Sequence, residues 1–267
     1  MKIGIFDSGL GGLLVTRAII KKLPGYDYLY LGDTKRMPYG GRTQKEIFKF
    51  TCQALDYLFR SHCKLVIVAC NTASAKALRK IQREYLPKFY PDKKVLGVII
   101  PTVEVVAKLK NISRVGILAT KATVGSKTYL KEFKKLNSNI KVSQQAAPLL
   151  ATLVERGAPR PITKALLVYI TQLLKTKPQA IILGCTHYSI LKNQIKNIVG
   201  PKIKVIDQDK IIAEKLALYL KRHPEIEQQL TKYGKRTYAV TAIKNDFNNI
   251  GRRLFGGHLA LKSVKIS

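Results

Sequence analysis

Short apolar runs rich in β-branched residues alternate along this chain with longer stretches that have the hydrophobic periodicity of amphipathic helices. The predicted strands cover residues 3–6, 28–31, 65–69, 95–100, 115–119, 140–142, 180–183, 204–206 and 237–240. The predicted helices cover residues 13–22, 46–59, 73–85, 102–109, 126–136, 161–174 and 210–221. Strands that alternate with helices form parallel sheets through right-handed crossovers. The sequence therefore predicts an α/β fold with parallel-rich sheets flanked by helices.

Two of the predicted strands lead into a cysteine that is followed by polar residues. Cys70 comes directly after the strand at 65–69, and Cys185 follows the strand at 180–183. Ligands of α/β proteins bind at the carboxyl ends of the strands. Two thiols presented from such ends could face each other across a small substrate, which is what a two-base proton exchange at carbon requires.

The repeated strand-cysteine pattern also predicts how the chain is divided. We expect two similar α/β lobes with the active site in the cleft between them. The first lobe would comprise residues 1–96 and 206–267, and the second residues 97–205.

A polar, glycine-rich turn with the sequence DSGLGG follows the first predicted strand. It lacks the glycine spacing of a dinucleotide-binding loop, because Leu14 occupies the last required position. The amides of the helix that follows favour a carboxylate or another anion. Asp7 could accept a hydrogen bond from a substrate ammonium or orient a thiol; alternatively, Asp7 or Ser8 only caps the helix.

A second turn, at residues 32–40, follows the second predicted strand and contains Pro38, Tyr39 and Gly40. It also leaves the carboxyl end of a strand, so we expect it to lie beside the Asp7 turn.

Polar residues follow each of the two cysteines. Asn71 and Thr72 come after Cys70 and open a predicted helix, whose dipole and free amides should lower the pKa of the thiol. Both residues could cap that helix or bind substrate oxygens. Thr186 and His187 follow the second cysteine in the same way, and the imidazole can carry protons.

Two other chemistries compete with proton transfer. A metal site could be built from Asp7, Cys70, Cys185 and His187, but these residues do not have the usual zinc-ligand spacing. A cysteine hydrolase would need only one nucleophile and would leave the second thiol without a role. Two symmetric thiols fit proton transfer without a metal or cofactor better.

The length and composition are those of a globular protein. The chain has 267 residues, 46% of them hydrophobic, which is enough for a large core. Reduced thiols are expected, with Cys52 and Cys63 as packing residues. The sequence has no apolar run that could span a bilayer, and the residues before the first strand do not form a signal peptide. We therefore expect a cytoplasmic protein that does not enter a membrane.

The charge of the chain is strongly positive, at +32. Such a surface attracts polyanions and should bind nucleic acid weakly and without sequence preference. The basic residues are spread along helical faces, and no nucleic-acid-binding motif accompanies them. A DNA-binding α/β protein is therefore kept as an alternative from a different functional class.

Four motifs carry a family resemblance: the DSGLGG turn at 7–12, the Pro-Tyr-Gly turn at 38–40, ACNTA at 69–73 and GCTHY at 184–188. In this order, and over nearly the whole chain, they resemble the glutamate racemases of the cofactor-independent aspartate/glutamate racemase family. The resemblance implies interconversion of L- and D-glutamate without a cofactor. It further implies a cytoplasmic homodimer that supplies D-glutamate for peptidoglycan, and hence for cell-wall biogenesis and cell shape.

The resemblance also implies roles for individual residues. Cys70 is similar to the thiolate that deprotonates D-glutamate, and Cys185 to the one that deprotonates L-glutamate. Asp7 and His187 resemble groups that assist the thiols, and Glu155 resembles a further cleft carboxylate, although a solvated helix charge fits Glu155 equally well. The substrate-binding set implied by the resemblance is Asp7, Ser8, Pro38, Tyr39, Gly40, Cys70, Asn71, Thr72, Thr120, Thr123, Cys185, Thr186 and His187.

Two departures from the family pattern are visible. Ser189 stands where the family usually has proline, which removes no reacting group. The chain also begins just before its first strand, so we expect no activation by a peptidoglycan precursor. Aspartate remains the nearest alternative substrate, because the sequence does not expose the shape of the cleft.

Overall fold

Two parallel β-sheets form the framework of the part of the chain that the structure describes. The structure is a computed structural model, and it describes residues 1–243, 247, 250–251, 255–256 and 259–266. The strands are β1 (Lys2–Asp7), β2 (Tyr28–Gly32), β3 (Cys63–Val68), β4 (Lys94–Gly97), β5 (Arg114–Ala119), β6 (Lys141–Ala146), β7 (Ala180–Gly184), β8 (Lys204–Ile206), β9 (Arg236–Val240) and β10 (Leu261–Ser263). The first sheet has the order β10-β9-β2-β1-β3-β4 and the second the order β6-β5-β7-β8, with parallel pairing throughout.

Helices connect the strands and cover the sheets. They are α1 (Gly12–Lys22), α2 (Gln44–Arg60), α3 (Asn71–Lys76), α4 (Leu78–Lys80), α5 (Leu86–Phe89), α6 (Ile99–Ala107), α7 (Lys121–Ser126), α8 (Thr128–Leu136), α9 (Leu150–Glu155), α10 (Pro159–Leu174), α11 (Lys192–Val199), α12 (Asp209–Arg222) and α13 (Pro224–Glu227). The chain also has a π-helical turn at Ile81–Tyr85 and 3₁₀ turns at Tyr39–Gly41 and Thr186–Leu191.

The central strands β1, β2 and β3 of the six-stranded sheet are buried on both faces, which explains why they are almost continuously apolar. Successive side chains of β1 point to opposite faces. Ile5 packs in one cluster with Leu13 of α1 and Leu216 of α12. Phe6 packs on the other face with Leu55 of α2. We call this sheet with its covering helices the first lobe.

The four-stranded sheet repeats this arrangement and forms the second lobe. Ile182 of β7 packs with Val103 of α6 and Phe133 of α8 on one face. The neighbouring Leu183 packs with Leu166 of α10 on the other face. The predicted fold class, two α/β lobes with parallel sheets flanked by helices, is confirmed.

The chain passes between the two sheets at two places. One crossing joins β4 to α6 at residues 97–99, and the other joins β8 to α12 at residues 206–209. The first sheet takes its strands from residues 2–97 and 236–263. The domain boundaries at residues 97 and 206 stay a prediction.

Two predicted segments differ from the observed elements for physical reasons. The apolar run at 95–100 is divided, because β4 ends at Gly97 and α6 starts at Ile99. Strand β6 extends from Lys141 to Ala146, well beyond the predicted 140–142. Its later residues include two glutamines on a half-exposed edge strand, so hydrophobic periodicity does not reveal them.

Burial agrees with the expectation for the two cysteines outside the motifs. Cys52 and Cys63 both lie in the cluster between the first sheet and α2, and all four cysteines are free thiols. None of the helices in the described ranges combines the length and apolar character needed to cross a lipid bilayer.

Candidate active site

The carboxyl ends of the strands in the two lobes face each other and bring the predicted site residues together. Asp7 ends β1, Cys70 follows β3 and Cys185 follows β7. All three side chains are buried. The lobes are linked directly here, because the Thr186 hydroxyl donates to Asp7 Oδ1 over 3.2 Å. Motifs that lie far apart in the sequence and in different lobes therefore come together in one candidate site.

Cys70 lies in a polar but buried environment. Its Sγ is 3.2 Å from Ser8 Oγ, and it accepts a hydrogen bond from the Ala73 amide over 3.5 Å. Burial and the nearby charge of Asp7 raise the pKa of the Cys70 thiol to about 12, although Ser8 and the Ala73 amide act in the opposite direction. The expected lowering of this pKa is therefore wrong, because burial outweighs the helix amides. Negative charge on Cys185 would raise the pKa of Cys70 further.

Cys185 has a charged neighbour instead of a hydroxyl. Its Sγ is 3.7 Å from His187 Nδ1. His187 Nε2 is 2.8 Å from Glu155 Oε1, as an ion pair whose N–H is not aligned on the oxygen. Burial by itself would lower the pKa of His187, but Cys185 and Glu155 raise it well above its ordinary value. The imidazolium thus lies between a sulfur and a carboxylate.

The position of Glu155 distinguishes between the two alternatives for this residue. Its side chain is only 13% exposed and faces His187, so it is not a solvated helix charge. The Gly9 backbone approaches the same pair, since a Cβ at Gly9 would lie 3.2 Å from His187 Nε2.

The segment after Cys185 does not repeat the helix start that follows Cys70. Cys70 caps α3 through its sulfur, whereas Cys185 makes no side-chain cap. The Tyr188 amide bonds to the Cys185 carbonyl over 3.0 Å, the spacing of a 3₁₀ turn. Ser189 lies inside this turn, and the predicted effect of its replacing proline stays a prediction.

Asp7 binds the turn that follows β1 and the opposite lobe, while the N-cap of α1 is Gly11, with no side-chain cap. Its Oδ2 accepts from the Gly9 amide over 3.0 Å, and the Gly12 amide at the start of α1 also favours its charged form. Its Oδ1 accepts from Thr186 of the other lobe. Burial nevertheless raises the pKa of Asp7, with His187 opposing the rise. Asp7 therefore holds the turn and the opposite lobe together.

Three threonine hydroxyls from the two lobes meet in a triangle. Thr72 Oγ1 is 2.9 Å from Thr120 Oγ1 and 3.3 Å from Thr123 Oγ1, and the latter two are 3.0 Å apart. All three residues are buried. Hydroxyls can donate and accept, so this triangle can rearrange around a carboxylate.

The turn at residues 32–40 lies beside the Asp7 turn, as expected, because the Asp33 amide donates to the Asp7 carbonyl over 3.0 Å. It also lies against the second lobe. A Cβ at Gly40 would lie 2.8 Å from Thr120 Cβ. The buried Tyr39 hydroxyl donates to Asp33 Oδ2, which also accepts from Arg36 Nε over 2.6 Å. Asp33 and Arg36 were given no role from the sequence, and in the structure they fix Tyr39.

Asn71 is hydrogen-bonded to Gln208 and Tyr129, two residues for which the sequence predicted no role. Its Nδ2 donates to Gln208 Oε1 over 2.6 Å, and its Oδ1 accepts from the Tyr129 hydroxyl over 2.7 Å. Gln208 is the second residue after β8, just as Cys70 is the second residue after β3, so the strand-end rule that identified Cys70 also points to it.

The competing metal site would need several ligand side chains directed at one point. Across the residues that the structure describes, no group of three or more His, Cys, Asp or Glu side chains is placed to hold a metal ion.

Known proteins are similar to this chain in sequence and in architecture. The family model described as Asp/Glu/Hydantoin racemase matches residues 3–216. The glutamate racemase of Phenylobacterium zucineum is 34% identical, covering 98% of this chain and 99% of its own. The glutamate racemase of Ruegeria pomeroyi is 39% identical, covering 85% of this chain and 87% of its own.

Solved structures of glutamate racemases are similar to this chain over nearly its whole length. The glutamate racemase of Francisella tularensis in complex with D-glutamate has a TM-score of 0.88 and 32% identity, with coverage of 99% and 97% of the two chains. A glutamate racemase of Bacillus anthracis has a TM-score of 0.89 and 30% identity, with the same coverage. The match to the family model and to these relatives extends over most of the chain, and the resemblance found in its motifs is confirmed. This chain belongs to the Asp/Glu/hydantoin racemase family.

Proposed function

We propose that this chain interconverts L- and D-glutamate by moving the α-proton between Cys70 and Cys185. The observation that carries the proposal is the pair of buried thiols at matching strand ends of two facing sheets. Relatives named glutamate racemases, one of them solved with D-glutamate, support glutamate as the substrate.

The surroundings of the thiols support a division of their roles. The raised pKa keeps Cys70 protonated at neutral pH, so it is ready to donate. The ring of His187 lies 3.7 Å from Cys185 Sγ, so we assign the accepting role to this sulfur. Glu155, by holding His187, acts as a positioning residue.

In the proposed reaction, the Cys185 thiolate takes the α-proton of L-glutamate. The electron pair of the broken C–H bond remains on the substrate, and the Cys70 S–H delivers its proton to the opposite face. D-glutamate leaves with Cys70 as thiolate and Cys185 as thiol, and proton exchange with solvent restores the first state. The reverse reaction starts from the second state.

Removing an α-proton is difficult because it is far less acidic than a thiol of ordinary pKa about 8.5. The site must therefore stabilise the carbanion by excluding water and directing donors at the substrate carboxylate. We propose that the Thr72, Thr120 and Thr123 hydroxyls, with Asn71 and Thr186, supply these donors. Ser8, Asp7 and the Tyr39–Gly40 turn complete the proposed binding set, together with Pro38. The reaction needs no cofactor.

The finer biological statements rest on the family resemblance. We propose that D-glutamate from this reaction serves peptidoglycan synthesis in a bacterial cytoplasm, and that the chain acts as a homodimer. Sedimentation of the purified chain with and without glutamate tests the oligomeric state.

A basic groove supports a weak second activity. It has a volume of about 480 Å³, between the α4 region and α8. Its cationic side chains are Lys76, Arg79, Lys80, Arg83, Lys131 and Lys135. With the total charge of +32, this groove favours nonspecific nucleic-acid binding. A gel shift that disappears as salt rises to the physiological range is expected; binding that withstands salt would indicate a specific nucleic-acid role instead.

The racemase proposal is tested by proton exchange. The reduced, folded chain is incubated with L-glutamate in deuterated buffer, without added pyridoxal phosphate or metal. We expect loss of optical rotation together with deuterium at the α-carbon. L-aspartate is run in parallel, and exchange of aspartate alone would transfer the proposal to that substrate. No exchange with either amino acid would overturn it.

A further inference from the structure

Gln208 occupies one of the two places where the chain passes between the lobes. It lies between the last residue of β8, Ile206, and the first of α12, Asp209. Its side chain is 3% exposed. A buried amide is costly unless its donors and acceptor are satisfied, so its partners define what it does.

Each polar atom of Gln208 has a partner. Oε1 accepts from Asn71 Nδ2 over 2.6 Å. Nε2 donates to the Tyr129 hydroxyl oxygen over 2.8 Å and to Thr102 Oγ1 over 3.0 Å. The Thr102 hydroxyl in turn donates to the Val98 carbonyl over 2.7 Å, and Val98 belongs to the other crossing. Gln208 is therefore connected to both crossings.

Three of these side chains form a closed ring. Gln208 donates to Tyr129, Tyr129 donates to Asn71 over 2.7 Å, and Asn71 donates to Gln208. The direction of the bonds is set at Gln208, because its Nε2 also donates to Thr102 Oγ1, whose own proton goes to the Val98 carbonyl, and lies 3.5 Å from that carbonyl oxygen. An amide oxygen in this place would face the Val98 oxygen and compete with it for the Thr102 proton, so the reversed ring is disfavoured. The ring therefore holds the Asn71 amide in one orientation.

The ring fixes a residue next to the reacting sulfur. Asn71 directly follows Cys70, and it belongs to the proposed substrate-binding set. An amide nitrogen carries two hydrogens, and the ring uses one of those on Asn71 Nδ2. The other can be directed at a substrate oxygen only while the amide keeps this orientation.

We propose that Gln208 is a positioning residue for the racemase reaction. From the crossing between the lobes, it orients the Asn71 amide so that its second N–H binds the substrate carboxylate. This inference rests on the proposed function. In this role, Gln208 does not itself contact the reacting atoms.

The test replaces Gln208 by a side chain of similar length that cannot form hydrogen bonds. In Gln208→Met, we expect kcat/KM for both glutamate enantiomers to fall about tenfold to a hundredfold, the usual effect of one lost or misdirected polar contact. Gln208→Glu keeps the acceptor for Asn71 but loses the donors, so an intermediate loss is expected. Gln82→Met is the matched control, because Gln82 donates to the Val95 carbonyl over 2.8 Å and has no bond to the ring.

A purely structural role is distinguished by a double-mutant cycle. If Gln208 acts through Asn71, then Gln208→Met causes no further loss of kcat/KM in an Asn71→Ala background. An equal loss in both backgrounds, or wild-type kcat/KM in the folded single variant, would overturn the inference. Should Gln208→Met not fold, Tyr129→Phe removes the ring hydroxyl alone and is subjected to the same cycle. The wild-type exchange assay decides the proposed function separately, since an active wild type with unaffected variants contradicts only the role of Gln208.

Discussion

The two thiols are chemically unequal although they occupy matching places. Cys70 contacts the Ser8 hydroxyl, and burial with the Asp7 charge raises its pKa to about 12. Cys185 instead contacts the ring of His187, whose pKa is raised well above its ordinary value. In the proposed reaction of L-glutamate, Cys70 therefore gives the proton and Cys185 takes one.

Serine substitutions should separate the two halves of the reaction. In Cys70→Ser, Cys185 can still remove and return the α-proton on its own face, but no donor of comparable acidity stands opposite. We expect racemisation to fall at least about a thousandfold, consistent with the loss of a general acid or base. Slow α-deuteration of L-glutamate with retained configuration should persist, as measured by NMR and chiral chromatography. Cys185→Ser should show the same behaviour with D-glutamate.

The same pair of variants tests the alternative of an enzyme that uses a single thiol. Such an enzyme would depend on Cys185 with His187 and Glu155 and would not require Cys70. Full racemisation by either serine variant would exclude the two-thiol mechanism.

At the scale of elements, the turn after β1 is closely packed against the turn after β7. A Cβ at Gly11 would lie 2.6 Å from Thr186 Oγ1 and 2.8 Å from the His187 amide nitrogen. Since part of this obstacle is backbone, Gly11→Ala must push the two turns apart. We expect a loss of about 1–3 kcal/mol in unfolding free energy and a lower kcat/KM.

A glycine that faces open space provides the control for this prediction. A Cβ at Gly41 would have no atom within 4 Å. Gly41→Ala should therefore keep wild-type stability and kinetics in thermal unfolding and racemase assays. Equal behaviour of the two variants would mean that the close approach at Gly11 has no consequence.

Helix α12 begins with an acid whose protonation should make stability depend on pH. Burial and the charge of Asp207 raise the pKa of Asp209 from 3.8 to about 7, with Lys192 opposing the rise. A raised pKa means that the folded state binds the proton more tightly, so its contribution is lost as pH rises through about 7. Between about pH 5 and about pH 8, we expect a loss of roughly 2 kcal/mol.

Asp209→Asn removes this titration. The variant should gain stability relative to wild type as pH rises, as followed by denaturant unfolding at several pH values. Parallel pH profiles for the two proteins would contradict the raised pKa.

The strands and the site residues that the sequence predicted correctly are those marked by a local pattern of apolar and polar residues. The strands leading to Cys70 and Cys185 are buried on both faces, so their apolar runs are visible, and the polar residues after them mark the strand ends. The Asn71–Gln208 bond joins residues 137 positions apart, which no local pattern reveals. The direction of the Cys70 pKa shift was missed for the same reason, because it depends on tertiary burial and on Asp7.

At the scale of the whole molecule, the site is too buried for substrate to enter the observed arrangement. Cys70 is 4% exposed and Cys185 is 7% exposed. Both are covered by contacts between the lobes, such as the Thr186–Asp7 and Thr72–Thr120 hydrogen bonds. We therefore expect these contacts to separate when glutamate enters, with the lobes rotating about the two chain crossings at residues 97–99 and 206–209.

We therefore predict that glutamate changes the balance between open and closed forms. Small-angle scattering of the Cys70→Ser/Cys185→Ser variant avoids turnover, and its radius of gyration should decrease when D-glutamate is added, because the substrate carboxylates bridge groups from both lobes. Gly11→Ala, which holds the turns apart, should show a smaller decrease at saturating ligand. Equal dimensions with and without glutamate, in a sample whose binding is verified by calorimetry, would show that substrate reaches the thiols by local movement of the turns and that the lobes do not rotate.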